Sequence, residues 1–349
     1  MTSLNTSIST SLQNNSTREW IYYFDVMKGI GMVLVVLGHV MLFTFGIEPP
    51  QAGKFLYFHM PLFFYISGFL AYKQFDNIKV VGKRFLTRGL VLLVPYIIFL
   101  SLYNIFAGKS SEIIHNLLAG GGRYWFLYDL FILSSFFLLY EYCLRNIKKD
   151  WIYICLFLLP LIILIAAKYT ISRLNFLDSD VNSLQSIITG LVNYYRYFLI
   201  GYLCKKYIIF NNFLFKNSIV CALGFLAYFV AWYFYDLHNI ALIFMGTLGA
   251  LIVLQWFVIN YMPDNSKWTK LWIYIGRCSL GIYVIHYFFI PDLSNLLHPY
   301  MQCVNPFVWQ ISLGLLITIP IVAASIFTYK LIEMNRWLYM LFFGKIFKR

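Results

Sequence analysis

Apolar residues form long stretches along this chain, and short polar connections separate the stretches. A helix needs about 20 mostly apolar residues to cross roughly 30 Å of bilayer hydrocarbon. Ten stretches approach or exceed that length, and they cover residues 26–46, 55–72, 89–107, 124–143, 151–167, 185–204, 218–235, 239–262, 271–290 and 306–330. The pattern therefore predicts an all-α fold, a polytopic transmembrane helical bundle of about ten helices.

Lys and Arg residues are distributed unevenly between the predicted connections. If the N-terminus is cytoplasmic, 19 of the 27 basic residues lie on the inner side and five lie in outer connections. Cytoplasmic connections of membrane proteins carry an excess of Lys and Arg. Because an even number of spans places both ends on one side, both termini are predicted to be cytoplasmic.

The same pattern divides the chain into three regions. Residues 1–20 are rich in Ser, Thr and Asn and lack the basic and apolar parts of a signal peptide, which predicts a disordered cytoplasmic tail. Residues 21–338 are predicted to form the transmembrane domain. Residues 339–349 are predicted to form a basic cytoplasmic tail.

The composition excludes a soluble globular domain, because 61% of the residues are hydrophobic and only 12% are charged. A net charge of +13 would favour nucleic-acid binding in a soluble protein. Here positive connections facing anionic membrane lipids account for it, so no nucleic-acid partner is predicted. The six cysteines show no paired spacing and are interpreted as packing residues, so neither disulfides nor a metal site are predicted.

Two ionisable residues, Lys28 and His39, lie in the first apolar stretch. Such residues are costly inside a membrane and often mark functional sites. Their separation of eleven positions corresponds to about 20° beyond three full helical turns and a rise of about 16 Å. The two side chains therefore share one face, which suggests a transmembrane active site, although a structural histidine fits the same pattern. Since Asp25 lies about 21 Å from His39 along the helix, any group that orients the imidazole must come from another helix.

A basic segment between positions 73 and 88 follows the second stretch and ends with Lys83, Arg84 and Arg88. Arg binds phosphate through paired N–H groups and Lys binds it as a point charge, so this segment could hold a phosphorylated cytosolic donor. Ordinary positive-inside topology explains the same charges.

Further candidates lie near the predicted outer ends of the second and fourth stretches. His59 precedes Pro61, so it could stabilise a proline kink or contact a substrate. Arg123, Trp125 and Asp129 follow three glycines. Arg beside aromatic residues is suited to holding sugars, whereas a flexible loop and an interfacial aromatic belt are the alternative explanation.

In the ninth stretch, Ser279, Tyr283 and His286 share one helical face. Arg277 near the cytoplasmic end and His286 deeper in repeat the arrangement of Lys28 and His39. A structural polar seam is an equally good interpretation of these residues.

Four sequence blocks resemble acyltransferase family 3 of integral membrane acyltransferases, especially the branch similar to fucose 4-O-acetylases. The blocks come in the family's order, and the resemblance extends over nearly the whole chain after residue 20. They are residues 24–39, 58–69, 124–127 and 279–286.

This resemblance implies transfer of an acetyl group from cytosolic acetyl-CoA to a hydroxyl of a surface or envelope glycan, in the cell membrane and without a permanently bound cofactor. His39 would be catalytic with support from Lys28, and the first inner loop would hold the coenzyme. Arg84 and Arg88 are four positions apart, whereas the family often has two arginines three apart. The remaining candidates are assigned to the glycan or lipid-linked sugar acceptor, and they are His59, Arg123, Trp125, Asp129 and His286.

The alternative is a polysaccharide or lipid-linked sugar exporter of the same fold that performs no covalent chemistry. Discontinuous helices and inverted repeats are typical of transporters. The sequence has isolated prolines and no internal repeat, so it favours the enzyme. It predicts no particular oligomeric state.

The charge asymmetry generates a topology prediction. Reporter fusions after Lys79 and after Lys149 should report a cytoplasmic location, and a fusion after Arg173 should report the opposite side. The reverse pattern would contradict both the topology and the cytosolic supply of the donor.

Overall fold

The computed structural model describes residues 2–45, 57–75, 77–120, 122–174, 179–234, 239–293 and 306–344. Side chains are described for these residues except 2–21, 172, 174, 179–183 and 306–307. The described part of the chain is helical and contains no β-strand. The predicted all-α, polytopic fold is confirmed.

The α-helices are numbered here in chain order. They are α1 (Thr2–Thr44), α2 (His59–Ala71), α3 (Ile78–Phe106), α4 (Ile113–Leu118), α5 (Trp125–Leu144), α6 (Asp150–Leu174), α7 (Ser179–Lys206), α8 (Ile208–Lys216), α9 (Ser218–Tyr233), α10 (Ile240–Tyr261), α11 (Lys267–Arg277), α12 (Ser279–Ile285), α13 (Pro306–Met334) and α14 (Arg336–Phe343). Short 3₁₀ turns cover Ser110–Glu112, Gly122–Tyr124 and His286–Phe288.

Each of the ten predicted apolar stretches contains helix, but not every stretch is one long apolar helix. Within the described residues, six helices are long and apolar enough to cross a membrane, and the pair α8 and α9, bent by 67°, would be a seventh span. Helix α2 and the segment Ser279–Phe288 are apolar but shorter. The chain is therefore a multi-pass membrane protein, whereas the number ten and the cytoplasmic side of the termini stay predictions.

Helix α6 shows how these helices meet lipid. Only 11% of the most apolar part of Asp150–Ile171 is buried. Large side chains such as Ile162 and Ile163 point outward. Because lipid tails are as apolar as these side chains, an outward apolar surface costs nothing inside a bilayer.

The chain separates into two compact units, one built from residues 1–63 and 209–326 and the other from residues 64–208 and 327–349. In the first unit, α1 packs against α10, α11 and α12, and α9 packs against α10. Helices α1 and α11 meet at Gly29 and Gly276, where a Cβ on either glycine would overlap the backbone of the other helix. Small residues permit this close approach of two helices.

In the second unit, α3 packs against α5, and α7 packs against both α5 and α6. The carboxylate of Glu141 on α5 is buried and accepts hydrogen bonds from the hydroxyls of Tyr153 and Tyr202. These two tyrosines belong to α6 and α7, so one buried acid connects three helices. Paired hydrogen bonds offset the cost of burying that acid.

The two chain ends were predicted to be tails, and the structure describes helix in part of each. Helix α14 packs against α3 through Phe343, which is buried and contacts Phe99, so the predicted basic tail begins inside a packed helix. Its amphipathic pattern provides the apolar face that this packing requires. Helix α1 includes the backbone of residues 2–20, and the disordered N-terminal tail stays a prediction.

The contact between α1 and α11 generates a stability prediction. Gly276→Ala should lower the free energy of unfolding by about 1–3 kcal/mol, because the new methyl group would overlap the carbonyl of Asp25. Gly82→Ala is the matched control, since no atom lies within 4 Å of its added methyl group. Thermal unfolding in detergent measures both, and equal midpoints would contradict a tight helix contact.

Candidate functional site

Three aromatic side chains of the first unit form a hydrogen-bonded cluster at His39. His39 Nδ1 lies 3.0 Å from His286 Nε2, and the Tyr287 hydroxyl lies 3.0 Å from His39 Nε2. His286 and Tyr287 are buried, and His39 is half-buried. Both imidazole nitrogens of His39 therefore have a partner from another segment, as an oriented imidazole requires.

The two residues that contact His39 are consecutive in the chain and lie where an α-helix changes to a tighter turn. Helix α12 ends at Ile285, and residues 286–288 continue as a 3₁₀ turn. The rings of His286 and Tyr287 lie 4.1 Å apart between centroids, and each also packs on the ring of His39.

The hydrogen bonds assign the tautomers of the two histidines. His286 Nδ1 lies 2.9 Å from the carbonyl oxygen of Ile282, which can only accept, so this nitrogen carries the proton. The Nε2 of neutral His286 therefore accepts a hydrogen bond from His39 Nδ1–H. That leaves His39 Nε2 as the basic nitrogen, which accepts from the Tyr287 hydroxyl.

This arrangement suits proton transfer at His39 Nε2. When that nitrogen takes a proton, Nδ1–H still donates to His286 and the ring keeps its orientation. A general base held by a third group is the recurring layout of acyl-transfer sites. Here a neutral imidazole takes the orienting position that a carboxylate occupies in a Ser-His-Asp triad.

A second cluster of the first unit surrounds Asp25. Its carboxylate is buried and contacts Lys28 Nζ at 2.6 Å and Arg277 Nε at 3.3 Å. Lys28 lies three positions further along α1, and Arg277 ends α11. Both cations were candidates from the sequence, whereas the acid that they share was not. The i, i+3 spacing of Asp25 and Lys28 on one helix could have identified that acid.

The two clusters show that the segment from Arg277 to His286 runs parallel to α1. Arg277 pairs with Asp25, and His286 pairs with His39 further along both segments. The charged cluster and the histidine cluster are thus separated by about 21 Å along α1, the rise of fourteen residues. The first and ninth predicted spans contain these two segments. In a topology of ten consecutive spans, the first and ninth spans run in the same direction across the membrane, as these segments do.

The basic residues of the first inner loop lie on the first turns of α3, in the second unit. Lys83 is exposed, and the Arg84 guanidinium lies 4.9 Å from the ring centroid of Phe75. Arg88 Nη1 donates to the backbone carbonyl of Ser134 at 2.8 Å, so part of its guanidinium links α3 to α5. Lys83 and Arg84 are the more accessible anion contacts.

The structure changes the interpretation of His59 and Arg123. His59 is the first residue of α2, so Pro61 lies in the first helical turn, where a missing N–H removes no helix hydrogen bond. This position does not favour the proline-kink alternative for His59, because the helix begins later than the apolar stretch. Arg123 lies in the 3₁₀ turn before α5, with its guanidinium 4.5 Å from the ring centroid of Tyr103.

Trp125 and Asp129 line a cavity of about 280 Å³ in the second unit. Helix α7 supplies the opposite wall, including Asn193 and Tyr194. The Asp129 side chain is buried, with 3% exposure. Sequence analysis predicted the α5 residues of this cavity but missed those of α7, because their contribution depends on how the two helices pack.

The structure places His286 beside His39, whereas the sequence analysis assigned it to the acceptor. Tyr283 is also buried, and its ring lies 6.2 Å from that of His286 between centroids. The orienting contact depends on α12 packing against α1, which no local spacing reveals.

Comparison with known proteins identifies a family whose sequence pattern this chain matches. The family model described as "Acyltransferase domain" matches residues 21–327. The nodulation protein NolL of Sinorhizobium fredii (strain NBRC 101917 / NGR234) is 31% identical over a part that covers 37% of this chain and 38% of NolL. The aligned part is thus less than half the length of that relative. Among solved structures, none gives a significant match.

Proposed function

The chain belongs to acyltransferase family 3, and we propose that it moves an acetyl group from cytosolic acetyl-CoA to a hydroxyl of a surface or envelope glycan. The observation that carries this proposal is the ordered hydrogen-bond series from Tyr287 through His39 to His286. It leaves a basic nitrogen on an oriented imidazole inside a membrane span, a position at which an ionisable side chain is costly without a function.

In the proposed reaction, the acceptor hydroxyl replaces the Tyr287 hydroxyl as the donor to His39 Nε2. The hydroxyl oxygen attacks the thioester carbonyl carbon while its proton passes to Nε2. The tetrahedral intermediate then collapses, the C–S bond breaks, and His39 returns the proton to the coenzyme A sulfur. One C–O bond replaces one C–S bond, and no other reactant is needed.

The remaining candidates have supporting positions in this proposal. His286 holds the tautomer and orientation of His39 and acts as a positioning residue. Lys28, paired with Asp25, adds positive charge at the end of α1 nearer the cytoplasm. Lys83 and Arg84 contact coenzyme A phosphates, and Arg88, which has N–H groups beyond the one used for Ser134, completes that contact.

Two discontinuous segments favour the exporter as the second candidate. The bend between α8 and α9 and the interruption at Cys278 resemble the broken helices of transporters. The interruption at Cys278, however, precedes the turn that brings His286 to His39, a contact that transport does not require. Mass spectrometry of the glycan separates the two functions, because only the enzyme adds the mass of an acetyl group.

The catalytic prediction concerns His39→Gln. Glutamine keeps a polar side chain but offers no basic nitrogen, so turnover should fall by about 10²- to 10⁴-fold. Acetyl-CoA affinity and thermal stability should be unchanged. Acetyl transfer to purified glycan, measured in nanodiscs at saturating donor, provides the test.

Arg84→Gln is the matched donor-side variant for that experiment. It should raise the KM for acetyl-CoA and leave turnover at saturation near that of the unchanged protein. A His39→Gln protein that acetylates glycan at the normal rate would overturn the proposed mechanism. An acetylation-free glycan in the producing cell, with the gene intact, would overturn the activity itself.

A second prediction separates positioning by His286 from simple packing. In His286→Gln the amide oxygen can still accept from His39 Nδ1–H, whereas His286→Leu offers no acceptor. Turnover should fall about 10- to 10²-fold in the leucine variant, because part of the general-base contribution of His39 is lost. The glutamine variant should retain most of the normal turnover. Equal turnover in the two variants at equal thermal stability would show that the hydrogen bond has no role.

A further inference from the structure

The cavity between α5 and α7 of the second unit contains an acid that has no partner among the residues that the structure describes. Among the described residues, no hydrogen bond or ion pair reaches the carboxylate of Asp129, although 97% of this residue is buried. The side chain lines the cavity. Burying an unpaired carboxylate costs several kcal/mol, so the occupant of the cavity is expected to supply hydrogen-bond donors.

The other cavity walls combine polar and aromatic groups. Ser186, Thr189 and Asn193 project from successive turns of α7. Trp125 and Tyr194 also line the cavity, with stacked rings whose centroids lie 5.1 Å apart. A few hydrogen-bonding groups beside aromatic surface are typical of small-ligand sites.

The aromatic pair is held in place by a third ring. Phe64 stacks on Tyr194 with centroids 4.5 Å apart, and it is fully buried. The orientation of Tyr194 is therefore set before any ligand enters. A fixed aromatic face can pack against the C–H face of a sugar ring at little entropic cost.

We propose that this cavity binds one neutral sugar ring of the glycan acceptor. This inference rests on the proposed function and specifies its substrate class. Hydroxyls of the ring donate to the Asp129 carboxylate and exchange hydrogen bonds with Asn193. A volume of about 280 Å³ accommodates one ring rather than an oligosaccharide.

The charge of the cavity decides between neutral and acidic sugars. Among the described residues that line it, none is Lys or Arg, and Asp129 is the one acid. A uronic or other acidic sugar would place a second carboxylate in a buried site without a cation, which is unfavourable. Arg123, which was considered from the sequence for holding sugars, is not among the described residues that line the cavity.

Gly190 marks how closely the α7 backbone approaches the acid. A Cβ at this position would overlap Asp129 Oδ2. An alanine here would force the carboxylate to move while leaving its charge unchanged. Gly190→Ala therefore perturbs the same site as Asp129→Asn by a different physical means.

The test measures sugar binding without turnover. Saturation-transfer NMR on the full chain in nanodiscs would compare methyl α-fucoside, methyl glucuronide and methyl glucosaminide. The neutral fucoside should bind, and the glucuronide should bind at least about 10-fold more weakly. Asp129→Asn and Gly190→Ala should each weaken fucoside binding about 10-fold without changing acetyl-CoA affinity.

Gly89→Ala is the control for adding a methyl group to a helix of the same unit, since its nearest neighbour would lie at an ordinary 3.6 Å. Thermal unfolding of every variant shows whether that variant is folded. If either Asp129→Asn or Gly190→Ala is unfolded, the other variant provides the test. Four results would overturn the proposal. Two concern the ligands alone: the fucoside does not bind, or the glucuronide binds equally well. The others are preferential binding of the cationic glucosaminide and unchanged fucoside affinity in both variants.

The outcome also distinguishes failure of this site from failure of the proposed function. Fucoside binding that depends on Asp129, in a protein that never acetylates glycan, would retain the sugar site and reject the enzyme. Acetylation of glycan with unchanged fucoside affinity in Asp129→Asn would reject this cavity and retain the enzyme.

Discussion

The close approach of α1 and α11 at Gly29 and Gly276 is the constraint on which the candidate catalytic geometry depends. With two Cβ-free positions facing each other, the helix backbones come within a distance that larger residues would prevent. Arg277, which follows Gly276, then reaches Asp25. The chain continues along α1 until His286 meets His39, so one backbone contact determines the position of both polar clusters.

Several buried ionisable groups in these units have partners that offset the cost of placing them in an apolar environment. Asp25 contacts two cations, and Glu141 accepts from two tyrosine hydroxyls. His39 and His286 use each other and a backbone carbonyl. Asp129 departs from this pattern, since among the described residues of the second unit it is a buried acid without a hydrogen-bond or ion-pair partner.

Long apolar stretches determined the fold class directly, because bilayer thickness sets a minimum helix length that is visible in sequence. The residues at which individual helices begin and end were harder to predict from the sequence. Stretch 271–290 was predicted as one span, yet α11 is amphipathic and ends at Arg277, so charged side chains and packing on α1 divide the stretch. Helix α14 was missed because eight residues are too few to appear as a span.

The candidate site was predictable where one helix carries both members of a pair and unpredictable where packing brings them together. Lys28 and His39 share a face by helix geometry alone. The contact of His39 with His286 joins residues 247 positions apart, and the α7 wall of the Asp129 cavity likewise follows from tertiary packing.

The carbonyl that fixes the tautomer of His286 belongs to the main chain of Ile282. Every amino acid carries the same carbonyl, so this element of the site is independent of which side chain position 282 encodes. The side chain at position 282 is buried in the core and contributes packing, whereas the placement of the proton depends on the main chain alone. At positions 286 and 287 the side chains themselves form the contacts, so the same site combines one main-chain contact, which any residue can supply, with two contacts that require particular side chains.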